Sequence, residues 1–250
     1  MSNKNDLSAL KNEGLENVSM QERRDFLKMG LVITGIVAGG TMFSAVSGGN
    51  KVFASAAEYK EKYPYKPHYA MIIRQNLCID CELCVGACAK TNHVPAEGYR
   101  TRILQRDMPE AVGQNREFIA VLCNQCNIPQ CVRVCPTRAT YKDKANGIVQ
   151  MDTKKCIGCL TCQEGCPYNA RYFSEEKHAV DKCNFCWDTK LSKGDKLTAC
   201  VEACPTGTRT FGDLSDPSSV AYKWVHQLEK TIWVLRPEAG TKPNVFYTRG

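Results

Sequence analysis

Residues 156–167 read CIGCLTCQEGCP. The stretch sets Cys156, Cys159, Cys162 and Cys166 within eleven residues and closes on Pro167. Three other groups carry related spacings. Cys78, Cys81, Cys84 and Cys88 repeat the pattern C-x2-C-x2-C-x3-C, whereas Cys123, Cys126, Cys131 and Cys135 widen one gap to the four residues NIPQ. Cys183, Cys186, Cys200 and Cys204 hold thirteen residues between their middle cysteines. All 16 cysteines of the 250-residue chain belong to one of these groups.

Cysteine in such numbers has three ordinary uses: disulfides, zinc sites and iron–sulfur clusters. Closely spaced C-x2-C pairs are more often redox-active or metal-binding than structural bridges. Zinc prefers two C-x2-C hairpins converging across a longer spacer into a tetrahedron. Three thiols crowded on one short loop suit a cube instead, because each iron corner needs its own thiolate. Bacterial ferredoxins use the run C-x2-C-x2-C-x3-C-P, in which the fourth cysteine ligates the other cluster of a pair. Residues 156–167 match that run at every position, proline included. The spacing therefore points to iron–sulfur chemistry, with zinc as the minor alternative.

The residues after each group repeat as well: PTRATY after Cys135, PYNARYF after Cys166 and PTGTRTF after Cys204. The first group departs, with AKTNHV after Cys88. Hydrophobic residues make up 43% and charged residues 24%, ordinary for a globular chain. The formal charge of +7 raises the question of nucleic acid. Its lysines and arginines are scattered without interleaved stacking aromatics, which argues against such a partner. An oxidised four-iron centre with four thiolates carries roughly −2, so several would offset most of the excess. No phosphate-cradling glycine loop, paired carboxylates or nucleophile arrangement appears, so hydrolysis and acyl transfer have no motif to rest on. His68, His93, His178 and His226 read as surface or packing residues, and Tyr141, Tyr168, Tyr172, Phe173 and Phe185 as shields of the cysteine groups from water. The lysines of residues 188–196, DTKLSKGDK, suit a solvated loop or an acidic partner.

Residues 1–56 read as an address. A polar start leads to Arg23-Arg24 with Phe26, Leu27 and Lys28, then the apolar, glycine-rich residues 29–46, and Ala54 and Ala56 fit a small-residue cleavage site. The arginine pair resembles a twin-arginine signal, although Glu22 stands where Ser or Thr is usual. An uncleaved anchor is the alternative, since residues 29–46 reach the lower limit for a span. Downstream, residues 58–70 suggest an extended lead-in, and residues 147–152 alternate like a short strand. Residues 219–231 predict a helix capped by Asp216 or Ser218, with Val220, Tyr222, Trp224, Val225 and Leu228 on one face. The tail from residue 232 to 250 predicts an extended arm along a surface.

Taken together, the four groups, the NIPQC insertion, the long CNFCWDTKLSKGDKLTACVEACP version and the arginine pair resemble a known family. It comprises the four-cluster ferredoxin-like electron-transfer subunits of bacterial respiratory oxidoreductases. These include the beta subunits of dimethyl sulfoxide, polysulfide, tetrathionate and arsenate reductases and the iron–sulfur protein of formate-dependent nitrite reduction. The resemblance covers residues 68–250. It implies an α+β fold of two pseudo-symmetric double-cluster modules wrapped around four [4Fe-4S] clusters, an inner module of about residues 121–175 set into an outer one of about 68–98 plus 176–215. Residues 216–250 would add the helix and arm.

It further implies that the first group pairs with the fourth and the second with the third. One cluster would take Cys78, Cys81, Cys84 and Cys204, and its neighbour Cys183, Cys186, Cys200 and Cys88. A third would take Cys123, Cys126, Cys131 and Cys166, and the fourth Cys156, Cys159, Cys162 and Cys135. Trp187 follows Cys186 and replaces no cysteine, so each cluster would have four irons. The implied role is a non-catalytic relay, exported folded to the periplasm. It would stand between an integral membrane quinone-reacting subunit and a molybdopterin or multihaem catalytic subunit. A beta subunit of an electron-donating dehydrogenase, or a self-contained iron–sulfur enzyme or sensor, are the alternatives.

Overall fold

The computed structural model describes residues 63–107, 116–226 and 231–249, so the address at residues 1–56 lies outside the described residues. Strand β1 (Tyr69–Arg74) is the first element among the described residues, and its four central residues are buried. Ala70, Met71, Ile72 and Ile73 are all fully inaccessible, so both faces of the strand are covered. Successive side chains point to opposite faces of a strand, and here they serve two cores. Met71 and Ile73 join a large core with Leu122, Phe185, Phe211, Val245, Tyr247 and several cysteines. Ala70 and Ile72 join a smaller one with Tyr63, Leu214 and Ala221.

The remaining strands alternate with the cysteine groups. Helix α1 (Leu83–Asn92) carries the end of the first group. Strands β2 (Thr101–Asp107) and β3 (Arg116–Leu122) then pair antiparallel and lead to the second group and helix α2 (Gln130–Arg133). The pair β4 (Thr140–Lys142) and β5 (Val149–Met151) leads to the third group and helix α3 (Thr161–Glu164). The pair β6 (Tyr172–Ser174) and β7 (Ala179–Asp181) leads to the fourth group and helix α4 (Ala199–Glu202). Strand β8 (Arg209–Asp213) leaves that group and pairs antiparallel with β1, Ile73 opposite Arg209. Each group thus sits between two strands, consecutive groups are joined by an antiparallel pair, and the last of these strands closes onto the first.

Helix α5 (Val220–His226) covers the smaller core through Ala221, Tyr222, Trp224 and Val225. Val220, expected on the buried face, is instead 55% exposed, and Ala221 takes the inner position. The Asp216 carboxylate accepts the Ser218 amide at 2.8 Å, which tightens the turn before the helix. Leu228 lies outside the described residues.

The tail corrects the sequence reading. Strands β9 (Ile232–Trp233) and β10 (Val245–Thr248) are extended as expected, but β10 is no surface arm. It lies parallel to β1 inside a sheet of order β8-β1-β10-β9, with Val245 and Tyr247 fully buried. A parallel partner needs no local turn signal, so nothing near the tail announces it. Tyr247 fills the large core and donates its hydroxyl to the Ala120 carbonyl at 3.0 Å. Tyr247→Ala therefore destabilises the protein by about 3–5 kcal/mol, as deletion of a buried aromatic does. In a urea series the loss of visible absorbance should come earlier than in the parent, whereas Tyr247→Phe should stay within about 1.5 kcal/mol of it.

Candidate metal centre

The four cysteine groups fold into one recurring turn. The residue before each second cysteine has a positive φ: Asp80 at 56°, Gln125 at 48°, Gly158 at 68° and Phe185 at 55°. Only one of these is glycine, so three side chains accept a left-handed backbone that most residues avoid. A left-handed residue in such a loop turns successive amides toward one side, forming a concave donor surface for an anion. Each third cysteine, Cys84, Cys131, Cys162 and Cys200, is the second residue of its short helix. The fourth cysteine follows four residues later, one helical turn away. Cys88 lies inside α1, whereas Cys135, Cys166 and Cys204 lie just past their helices.

After those three, the chain makes the same turn again. The amides of Arg138, Asn169 and Gly207 donate to the carbonyls of Cys135, Cys166 and Cys204 at 3.2–3.3 Å. The first group lacks it because α1 runs on to Asn92, matching its departure in sequence.

Two cavities show which thiols meet. One is lined by Cys78, Cys81, Cys84 and Cys204, together with Ile79, Ile103 and Arg209. The other is lined by Cys135, Cys156, Cys159 and Cys162, together with Thr137, Ile157 and Val180. Two further sets are tighter. Burial pushes the Cys88 thiol up to about 12, and the neighbouring charges of Cys200 and Cys186 add to it. Burial also raises Cys183 strongly, with Cys88, Cys186, Cys123 and Cys200 beside it. Cys126 is likewise held at about 12 by burial and by Cys123, Cys131 and Cys166. Thiols held this firmly protonated bind a metal only by giving up their protons to solvent.

The same mutual effects run between sets. Cys84 feels Cys200, Cys183 feels Cys123, and Cys162 feels Cys131. Cys84 thus lies near Cys200, Cys183 near Cys123, and Cys162 near Cys131. All 16 cysteines are free thiols, and among the described residues no three Cys, His, Asp or Glu side chains draw close enough to hold a single ion.

The surroundings of the thiols are positive. Arg171, Lys182 and Arg209 are 1–3% exposed. Among the described residues none of the three has a carboxylate partner. Arg209 donates to Cys84 Sγ at 3.4 Å, while its Nη1 and the Nη2 of Arg171 lack any hydrogen-bond partner. Burial opposes both guanidinium charges, yet the thiolates of Cys200 and Cys84 hold Arg209 above its usual pKa, and those of Cys131, Cys123 and Cys162 do so for Arg171. Buried charges of this kind are expensive unless paired. An anionic cluster held by the thiols supplies the missing counter-charge, so the donor set and its surroundings fit such a group.

Donors to sulfur complete the shell. Asn92 Nδ2 reaches both Cys88 Sγ and Cys186 Sγ at 3.5 and 3.4 Å, and the Phe185 amide reaches Cys183 Sγ at 3.4 Å. The Thr161 hydroxyl donates to Cys159 Sγ at 3.4 Å, and Thr198 sits 3.3 Å from Cys200 Sγ. Sequence reading missed these donors and the three cations. Arg171 and Arg209 each fall five residues after a fourth cysteine, inside the noted repeats, so that offset was the available signal. Of the aromatics expected to shield the thiols, Phe185 and Tyr172 are buried, but Tyr141 is 44% exposed. His68 is buried against Asn244 and His226 meets Tyr63, while His93 and His178 lie at the surface.

Residues 114–214 match the family described as the 4Fe-4S dicluster domain. The B subunit of tetrathionate reductase from Salmonella typhimurium is 40% identical over 197 residues, 74% of this chain and 78% of that protein. An NrfC homologue of Haemophilus influenzae is 42% identical over 200 residues, 80% of this chain and 87% of its own length. The B polypeptide of polysulfide reductase from Wolinella succinogenes is 40% identical over 183 residues, 71% and 92% respectively. With the free thiols, their recurring turn and the unpaired cations around them, these matches place the chain in the family of ferredoxin-like iron–sulfur electron-transfer subunits of bacterial respiratory reductases.

Proposed function

We propose that the chain holds four [4Fe-4S] clusters in a row and relays single electrons along them. The carrying observation is the set of buried cations, Arg171, Lys182 and Arg209, that face thiols and no carboxylate. The ligands would be Cys78, Cys81, Cys84 and Cys204; then Cys88, Cys183, Cys186 and Cys200; then Cys123, Cys126, Cys131 and Cys166; and last Cys135, Cys156, Cys159 and Cys162. The two cavities and the mutual effects among the buried thiols support each set. On this assignment the first and fourth groups form an outer module and the second and third an inner one, about residues 121–175 within 68–98 and 176–215. Helix α1 packs against α4, and α2 against α3, which favours the pairing.

A bound cluster of this type takes up and gives up one electron at a time. The protein's part is to hold, screen and tune. Cysteines one helical turn apart reach into neighbouring sets, which keeps the sets close. Phe185, Tyr172, Leu122 and Ala120 keep water from the middle of the row. Amide and hydroxyl donors to sulfur, and the three cations, stabilise added negative charge and so raise the potential. At the two ends Cys81 and Cys159 are exposed, the natural places for an electron to arrive and leave.

The relatives' names refer to tetrathionate and polysulfide reductases. We infer by analogy a catalytic reductase partner of molybdopterin or multihaem type at one end and a membrane quinone-reacting subunit at the other. Among the described residues no helix is long and apolar enough to cross a membrane. Residues 1–56 would send it folded across the membrane by a twin-arginine route to the periplasm.

Three measurements test this reading. The purified chain should contain about sixteen iron atoms and about sixteen acid-labile sulfides; a colourless, iron-free protein would falsify it. Arg209→Met removes a cation beside Cys84, so one midpoint potential should fall by on the order of tens of millivolts, where about 59 mV is a tenfold shift for one electron. An unmoved potential would deny the cation its tuning role. Changing Arg23 and Arg24 together to Lys should leave the protein in the cytoplasm with its iron in place, and unaffected export would exclude the twin-arginine route.

A further inference from the structure

The four thiol sets are not joined alike. At both outer junctions a short helix and its last turn supply thiols to two sets. Helix α1 gives Cys84 to the first set and Cys88 to the second, and α4 returns Cys200 and Cys204 the other way. Helices α2 and α3 exchange Cys131 with Cys135 and Cys162 with Cys166 in the same manner. At the middle junction, between Cys183 and Cys123, no helix among the described residues serves both sides. The strand pairs β2–β3 and β6–β7 span it, and between the two cysteine loops themselves the ties are side chains.

Gln125 is the side chain that crosses. It is 1% exposed and sits in the loop between Cys123 and Cys126. Its Nε2 donates to the carbonyl of Cys183 at 2.8 Å, and its Oε1 accepts the amide of Val149 on β5 at 2.8 Å. Lys182 closes the circuit from the other side, donating to the Val149 carbonyl and, at 2.9 Å, to the same Cys183 carbonyl. The backbone of Gln125 is tied down as well, for its carbonyl accepts Asn244 Nδ2 at 2.8 Å.

The turn itself does not call for this side chain. In the equivalent position of the other loops stand Asp80, exposed, Gly158, which has no side chain at all, and Phe185, an apolar side chain buried in the large core. Glycine would also relieve the left-handed backbone that Gln125 adopts at φ 48°. A strained, fully buried glutamine persists where its surroundings fix it, and its side-chain bonds here run 58 and 24 residues along the chain rather than locally.

We propose that Gln125 is a positioning residue that sets the gap across the middle junction, and with it the rate at which an electron passes between the two halves. The inference rests on the cluster assignment above. The step moves one electron: the half that loses it is oxidised by one, the half that gains it is reduced by one, and no proton or bond changes hands. Tunnelling falls exponentially with distance, so a small widening here slows the transfer, and no shared helix resists that widening as one does at the outer junctions.

The test compares cluster-loaded full-length protein in four forms: the parent and three variants. Gln125→Met keeps length and volume but removes both bonds. Gln125→Gly copies the loop containing Gly158 and relieves the backbone. Asp80→Met alters the equivalent exposed position and is the control. In partly reduced samples, magnetic resonance reads the spin–spin interaction across the junction, and rapid freezing reads electron equilibration between halves. Both Gln125 variants should keep the parent's iron and sulfide, show a weakened interaction, and equilibrate about tenfold more slowly, in keeping with the cost of a small misplacement. Asp80→Met should match the parent. Full iron with unchanged interaction and rate overturns the proposal, as does loss of iron from both Gln125 variants while Asp80→Met loads fully, which would make Gln125 a packing residue. A parent protein without iron and sulfide fails the cluster reading instead, and is recognised by its content alone.

Discussion

Positive charge buried against sulfur is the interaction on which this fold turns. Arg171, Lys182 and Arg209 sit in a protein interior with no carboxylate to balance them. An uncompensated charge there would cost several kcal/mol after relaxation. Sixteen thiols around anionic clusters reverse that balance, because each cation then faces charge of the opposite sign. Polar and apolar packing follow from this arrangement rather than precede it. The large core is a sleeve of Met71, Ile73, Phe185, Phe211 and Tyr247 fitted around cysteines, several of which are themselves members of it. Folding and loading are accordingly one process, as in other proteins whose interior is built on metal ligands.

Much of this was legible in the chain because the decisive information is local. A C-x2-C-x2-C-x3-C run fixes a turn and one helical turn within a dozen residues, so the first and third groups could be read directly and the other two as spaced variants of them. Their partnership is not local, and in the chain only the family resemblance implies it. Val220 misled because a helix stripe of this width leaves its first member at the rim, and Ala221 beside it gave a weaker hydrophobic signal.

The tail and the cations were illegible for different reasons. Strand β10 is short, and its parallel partner β1 lies near the other end of the described residues, so no hairpin signal links them. Arg171 and Arg209 could be seen to recur, but a recurring arginine is ordinary at a surface. Only burial shows that these two point inward. Gln125 was hidden in another way. Its loop position has a positive φ that sequence would assign to glycine, as it does at Gly158, and the side chain explains itself only through Val149 and Cys183.

The closing of β8 and β10 onto β1 imposes an order on synthesis. The inner groups, Cys123 to Cys166, emerge from the ribosome as one uninterrupted stretch carrying its own hairpin β4–β5. The thiols of the first group emerge earlier but wait, for Cys204 comes last and the strand before Cys78 has no neighbours until residues 209–213 and 245–248 exist. On the proposed assignment, the half of the row that ends at Cys156 can therefore be built while the chain is still growing, whereas the end nearest Cys78 is sealed only once Cys204 and the strands that flank β1 have emerged. Any machinery that delivers iron must then act twice, or must wait.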